Sequence, residues 1–537
     1  MENHYKNIRD LIHSAKEKIG KPVSVQVVAA TIESLGIREK DIPQDFGLVD
    51  ISKLAELIYS ELLAENEIAE LKNAKEIELA EKEPVKNEIT SFLFLKIKIF
   101  FEYYTLGLLH LLPVFIQIAT IILFGYSLWT WVGFNPIQST AVVLGVIVGL
   151  VSTGGYVQVI GKQASFYWNF NDYEMVRKTI NFMHKVGILT IFGVLGVILL
   201  VNFFFHLYPF DVLVIIFTYA FLIGTLLLMI APFHTIKQRW VITVAIMTGT
   251  TTALFLKNFT DLTIYQTHWI GIAIVIVIAK IFLFIFFQNF STHRTQSVNT
   301  TLKIPVLLYH NYQYFFYGLV LYGFFFIDRI LAWSSGINGN LPFLIYFENK
   351  YELGMDLAIL IFLLLAGVLE YAIASFTSFM DVNQKTTDHN SPQLFNSKIR
   401  SMYWEQVSVL FISSLLAFAA VFIIINASWG FTSQFHYAIN PLSLKVCVIG
   451  GLGYILLAWG MLNSLYLFTL GQTLQPLKSI LYAALVNIIL GFLLSRFVGY
   501  EYSVVGMLCG SGLFAFLTVK ATLAYFKNLD YYYYASY

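Results

Sequence analysis

Charge is what this 537-residue sequence has least of: Asp, Glu, Lys and Arg together make up 12% of it, against roughly a quarter in an ordinary soluble domain. With 57% hydrophobic residues and a mean hydropathy of +0.69, a soluble fold is excluded. Cysteine is almost absent. Cys447 and Cys509 both fall inside apolar runs without metal-ligand spacing, so they read as small buried hydrophobes. The net charge is +1, and no Lys/Arg cluster with stacking aromatics stands outside the apolar segments, so nucleic acid is not an expected partner. No phosphate-cradling G-x-x-x-x-G-K-[ST] loop and no His/Cys/Glu cluster with metal spacing occurs. ATP hydrolysis, a metal and a cofactor are therefore not expected. No charged-then-apolar leader precedes the first long apolar run near residue 105, and no cleaved signal is expected.

The charge that is present is unevenly placed. Residues 1–90 hold 18 of the 33 acids and 12 of the 34 bases. Within them Ile8, Leu11, Ile12 and Ala15, then Leu54, Leu57, Ile58 and Leu62 behind a capping Ser52, recur at helical spacing. This predicts a small acidic helical domain, with the Glu/Lys-rich stretch 65–88 as a solvated helix or tether. Phe92 to Tyr104 mixes Lys96 and Lys98 with aromatics, as an interfacial helix approaching a membrane would.

Beyond residue 104, apolar stretches recur at about the 20 residues that a 30 Å hydrocarbon layer demands. Spans are expected at 105–131, 139–161, 186–205, 211–233, 238–257, 265–290, 306–334, 354–380, 405–427, 443–470, 475–496 and 502–526. The expected fold is an all-α membrane protein of about 12 transmembrane helices in two six-helix bundles, 91–290 and 304–537, joined by a connection at 291–303. Parallel halves of this kind create a central cleft where transporter substrates bind. Connections at 162–185 and 381–404 read as long and amphipathic. Fourteen Lys and Arg fall in the connections on one side and four, Lys257, Lys350, Lys445 and Arg496, on the other. The excess predicts both termini on the cytoplasmic side.

Ionisable groups inside apolar spans are costly and mark functional positions by default. Lys280 and Glu370 both read as mid-span. They invite two readings, a structural pair or separate substrate or ion roles. Asp328 and Arg329 are adjacent, about 100° apart on a helix, and serve either as an outer-mouth gate for a charged sugar or as snorkelling groups. Tyr309, Tyr312 and Tyr314 open the same span; they suit carbohydrate stacking and equally an aromatic belt. Ser152-Thr153-Gly154-Gly155 suits close helix approach or local unwinding. A membrane-embedded transferase would need groups such as His206 or His268 with Asp211 or Asp261, which stand at span ends in no recognisable motif.

Three stretches, STGGYVQVIGKQASFYWNFNDYE (152–174), FFYGLVLYGFFFIDRILAWSS (315–335) and YELGMDLAILIFLLLAGVLEYAIASF (351–376), resemble the PelG-type exopolysaccharide exporters of the multidrug/oligosaccharidyl-lipid/polysaccharide flippase superfamily. The second is the most specific, ending as the family's W-x-D-[KR]-x-x-x-W does, with Asp328, Arg329 and Trp333 in the matching positions. Gly155 stands where the family has Pro, and Phe326 where it has Trp. The resemblance implies a bacterial inner-membrane translocase of a polysaccharide or lipid-linked glycan, fed by a cytoplasmic glycosyltransferase and other export subunits. The alternative is a cation-coupled small-molecule or drug exporter of the same superfamily. In the glycan reading Lys280 and Arg329 face the cargo, and Glu370 and Asp328 balance or couple.

Overall fold

The structure is a computed structural model describing residues 2–64, 97–291, 302–336, 342–386, 392–427 and 439–529, apart from residues 21, 23, 99, 106, 110 and 528. The tether at 65–88 and the connection at 292–301 lie outside the described residues. Among those described there is no strand, only an isolated bridge between Tyr126 and Trp131.

Residues 2–64 form the helices α1 (Glu2–Ile19), α2 (Val25–Ser34), the short α3 (Ile42–Asp45) and α4 (51–64). Leu11, Ala15, Leu54, Ile58 and Leu62 are all buried, as their spacing predicts. The expected cap is displaced by two residues. Asp50, not Ser52, accepts from the Lys53 N–H at 2.8 Å and so caps α4.

Among the described residues, eleven helices are long and apolar enough to span a membrane, and a bent pair makes twelve. The pair is α5 (Phe100–Leu109) and α6 (Leu112–Phe124), broken by 59° where Pro113 occupies the first turn of α6. Residues 100–104, expected at the interface, are thus the first turns of this bent span. Its far end stops short of the expected residue 131, because Gly125 takes a left-handed φ of 61° and turns the chain back.

The second span runs from Pro136 to Asn169 as α7 (Pro136–Val159), a π turn (Ile160–Ala164) and α8 (Ser165–Asn169). There follow α9 (Tyr173–Phe205), α10 (Phe210–Thr235), α11 (Trp240–Phe259) and α12 (Ile264–Ser291). The second half comprises α13 (Ile304–Trp333), α14 (Asn349–Thr386), α15 (Pro392–Asn426), α16 (Pro441–Thr469), α17 (Leu474–Phe497) and α18 (Ser503–Tyr525). Most of the stretches expected as amphipathic connections, 162–185 and 381–404, are helix that extends the spans beyond a bilayer's thickness. Below, the basic face is the one where α9, α11, α13, α15 and α17 begin.

The two halves repeat one packing scheme. Helix α10 lies on α7 and α12, α11 on α12, and α6 on α11; likewise α16 lies on α14 and α18, α17 on α18, and α13 on α17. Where the halves meet, the repeat is visible in paired glycines. A Cβ on Gly318 of α13 would come within 2.7 Å of the Gly154 carbonyl of α7, and one on Gly107 of α5 within 2.6 Å of the Gly367 Cα of α14. Small residues at both crossings let backbones touch, the means by which helices associate in lipid. Ten residues beyond Gly107 stands Gln117; ten beyond Gly318 stands Asp328.

Candidate functional site

A polar cluster gathers at the end of α13 away from the basic face. Asp328 and Arg329, being adjacent, point to different neighbours. Asp328 is fully buried; it accepts from the Tyr351 hydroxyl at 2.7 Å through Oδ2, while its backbone carbonyl accepts from the Ser503 hydroxyl at 2.7 Å. Arg329 turns to α14, with Nη1 at 2.8 Å from Glu352 Oε1 and Nη2 at 3.7 Å from Asp356 Oδ1. Glu352 and Asp356, four residues apart, share one face of α14. The Arg329 and Glu352 side chains are buried, whereas that of Asp356 is 60% exposed. The cluster therefore has a closed end at Asp328 and an accessible end at Asp356. Asp328 Oδ1 and Glu352 Oε2 find no hydrogen-bond partner among the described residues.

Three carboxylates face one guanidinium. In an apolar setting such an imbalance is costly unless protons or a cation neutralise it, so the arrangement is chemically able to take up and release positive charge. Among the described residues, no three His, Cys, Asp or Glu side chains converge as metal ligands; each carboxylate can itself hold a proton. The imbalance is confined to one half. Among the described residues, the first half buries no Asp, Glu, Lys or Arg, and the second buries Asp328, Arg329 and Glu352.

Of the residues singled out in the sequence, Asp328, Arg329 and Trp333 come together at the end of α13. Trp333 is buried, its ring 5.2 Å from Phe347. Lys280 and Glu370 are not brought together as a pair. Glu370 bonds Arg239, across the halves, at 3.1 Å. It stands 21 residues along α14 from Asn349, about 31 Å at 1.5 Å per residue, and so near the basic face instead of mid-span. Lys280 is on the exposed side of α12 with Val277, Ile281 and Phe284, a position from which a lysine snorkels. Tyr309 and Tyr312 are exposed and their rings lie 6.5 Å apart, whereas Tyr314 is buried beneath the Lys162 ammonium, 5.7 Å from its ring centre. Lys162 sits on the π turn, a distortion common at functional positions.

Glu352, Asp356 and Tyr351 escaped the reading of the sequence. The signal was there in YELGMD, an i, i+4 pair of carboxylates at the mouth of an apolar helix. The groups considered for a transferase do not converge: His268 is buried against the Tyr219 hydroxyl, 2.6 Å from its Nδ1, and His206 takes the left-handed cap of α9.

The halves touch on both faces. On the basic face stand the Arg239–Glu370 pair and the Gly107–Gly367 crossing, with the Tyr104 hydroxyl 3.4 Å from the Leu364 carbonyl. On the opposite face the Phe347 N–H donates to Thr140 Oγ1 at 2.9 Å, and the Tyr208 hydroxyl to the Ile345 carbonyl at 3.0 Å. Burial pushes the Tyr208 phenol up to about 12, so it stays a donor at physiological pH.

No family model matches the chain, and no curated protein matches it. Solved structures do. A MATE crystallised in complex with MaD5 aligns over 81% of this chain and 97% of its own, at 12% identity and a TM-score of 0.54. A MOP superfamily transporter from Pyrococcus furiosus, described as having a binding pocket of reverse polarity, aligns over 80% and 96%, at 11% identity and a TM-score of 0.55. The outward-facing conformation of a multidrug resistance MATE family transporter of the MOP superfamily aligns over 81% and 96%, at 11% identity and a TM-score of 0.52. At these identities the likeness is one of fold: two six-span halves arranged as in MOP superfamily transporters.

Proposed function

We propose that this chain is a multi-pass translocase of the bacterial inner membrane, with both termini cytoplasmic, that moves a polysaccharide or lipid-linked glycan between its two halves. The fold supports transport. The glycan cargo rests on the resemblance to PelG-type exporters carried by the D-R-x-x-x-W sequence at the end of α13, whose Asp328, Arg329 and Trp333 are all buried. In this reading Tyr309 and Tyr312, at the basic-face end of α13, meet incoming sugar, and a cytoplasmic glycosyltransferase delivers it there. Lys280, exposed on α12, is a further candidate for the path.

A second reading, a proton-coupled exporter of small molecules, is favoured by the cluster itself. Three carboxylates around Arg329, one of them 60% exposed, form a group whose protonation can drive the halves apart or together. The two readings share Asp356 as the accessible coupling group and differ in cargo. The test is a gene deletion complemented with wild type or Asp356→Asn, with extracellular polymer and efflux of cationic dyes measured together and membrane abundance checked by blot. Polymer that disappears on deletion and falls at least tenfold with Asp356→Asn supports glycan export. Unchanged polymer on deletion of the whole gene rejects it, and dye efflux lost in the same strain moves the small-molecule exporter to first place.

A further inference from the structure

The inner ends of α17 and α18 carry a site of another kind. These two helices run antiparallel and are clamped by glycine. A Cβ on Gly506 would come within 2.6 Å of the Gly491 Cα, and one on Gly510 within 2.7 Å of the Ala483 carbonyl. Gly506 thus lies between positions 487 and 491, and Gly510 between 483 and 487. Continued toward the basic face, the same register sets Lys478 opposite Leu517 and Lys520 opposite Gln475, so that the two lysines lie about one helical turn apart on facing helices. Here a groove of about 450 Å³ is lined by Lys478, Lys520, Gln475, Tyr482 and Leu517, with Tyr525 at its end. Neither lysine has a carboxylate partner among the described residues. The Tyr525 hydroxyl is held by Gln472 Oε1 at 2.9 Å, which fixes the polar floor.

Above the lysines the exposed side turns apolar, with Leu481 and Leu485 on α17 and Phe516 on α18 between 42% and 64% exposed. Two ammonium groups with no carboxylate partner among the described residues, at the basic-face ends of spanning helices and beside an apolar strip running along them, are complementary to one kind of molecule. Basic pockets between transmembrane helices on the cytoplasmic side take anionic lipid headgroups. We infer that the groove between the basic-face ends of α17 and α18 binds an anionic phospholipid, its phosphate between Lys478 and Lys520 and an acyl chain along Leu481, Leu485 and Phe516. A soluble anion gains nothing from the apolar strip, and a zwitterionic lipid brings its own ammonium to two others. This site is independent of the cargo reading, because it lies at the basic-face ends of α17 and α18, whereas the Arg329 cluster meets α18 at its other end, where Ser503 reaches the Asp328 carbonyl.

The experiment is native mass spectrometry of the full-length protein in detergent, titrated with phosphatidylglycerol or phosphatidylethanolamine. Wild type is expected to retain phosphatidylglycerol preferentially. Lys478→Ala with Lys520→Ala should weaken that retention by about 10- to 30-fold, from about 1 kcal/mol per lysine, and Lys478→Arg with Lys520→Arg should keep it. Both lysines are exposed, so an elution profile unlike wild type is not expected, and the arginine variant guards against that confusion. Equal retention in the alanine variant overturns the inference. So does an equal loss in a control carrying Lys237→Ala and Lys303→Ala, which removes two charges from the same face elsewhere. Displacement of the lipid by millimolar inorganic phosphate also overturns it, by showing a site for phosphate alone.

Discussion

At the scale of single residues, Arg329 is the group on which the second half's interior depends. Its guanidinium is 6% exposed and 2.8 Å from a carboxylate that is 8% exposed. Removing one partner of such a buried pair leaves an uncompensated charge and costs about 3–5 kcal/mol, whereas replacing both by apolar groups is often neutral. Arg329→Met is therefore expected to lower the midpoint of thermal unfolding in detergent sharply. Adding Glu352→Met should recover much of the loss in stability without recovering transport. A double variant as unstable as the single one would place the dependence on some contact other than the ion pair. Asp328 and Arg329 were readable in the sequence as candidates because charge in an apolar span is conspicuous, and Trp333 through the family resemblance. Their acidic partners were overlooked because Glu352 and Asp356 stand at the start of α14, where a carboxylate looks like an ordinary helix-end residue.

At the scale of helices, the glycine crossings set how closely the halves approach. Gly318→Ile puts a branched side chain where a Cβ already comes within 2.7 Å of the Gly154 carbonyl, so α13 must shift from α7. Gly323→Ala is the matched control, since a Cβ there meets nothing within 4 Å. The first substitution should abolish transport and reduce membrane abundance severalfold; the second should do neither, apart from the small gain in helix propensity that Ala has over Gly. Equal behaviour of the two would mean that the α7–α13 crossing tolerates separation. Span positions were nearly all visible in the sequence, because hydropathy and length suffice to find them. Depth within a span was not. Helix α14 has 38 residues and extends past the bilayer, so counting from the middle of the apolar run put Glu370 mid-span, when in fact it meets Arg239 near the basic face.

At the scale of the whole molecule, that Arg239–Glu370 contact joins the halves through side chains 31% and 41% exposed. A pair so open to water contributes about 0–1 kcal/mol, weak enough to be broken and remade in every cycle. Arg239→Cys with Glu370→Cys, bridged by a bis-methanethiosulfonate long enough to replace the two side chains, should stop transport, and a reductant should restore it; full activity in the cross-linked protein would show that this seam does not open. Charge reversal, Arg239→Glu with Glu370→Arg, should retain more activity than either substitution alone. The arrangement in two halves was legible in the loop pattern of the sequence. The repeat itself was not, because it resides in helix-packing partners and in glycines far apart along the chain.

Gln117 of α6 and Asp328 of α13 are both buried, one an amide and the other an acid. A voltage across the membrane exerts force only on charge, about 2.3 kcal/mol for each elementary charge carried through 100 mV. If the halves rock against each other, the field pulls on the second half and leaves the buried core of the first untouched. Protonation of the Arg329 cluster would then decide how hard it pulls, and the rate of the second half's return would steepen with membrane potential while the first half, which buries no Asp, Glu, Lys or Arg among the described residues, served as its fixed bearing.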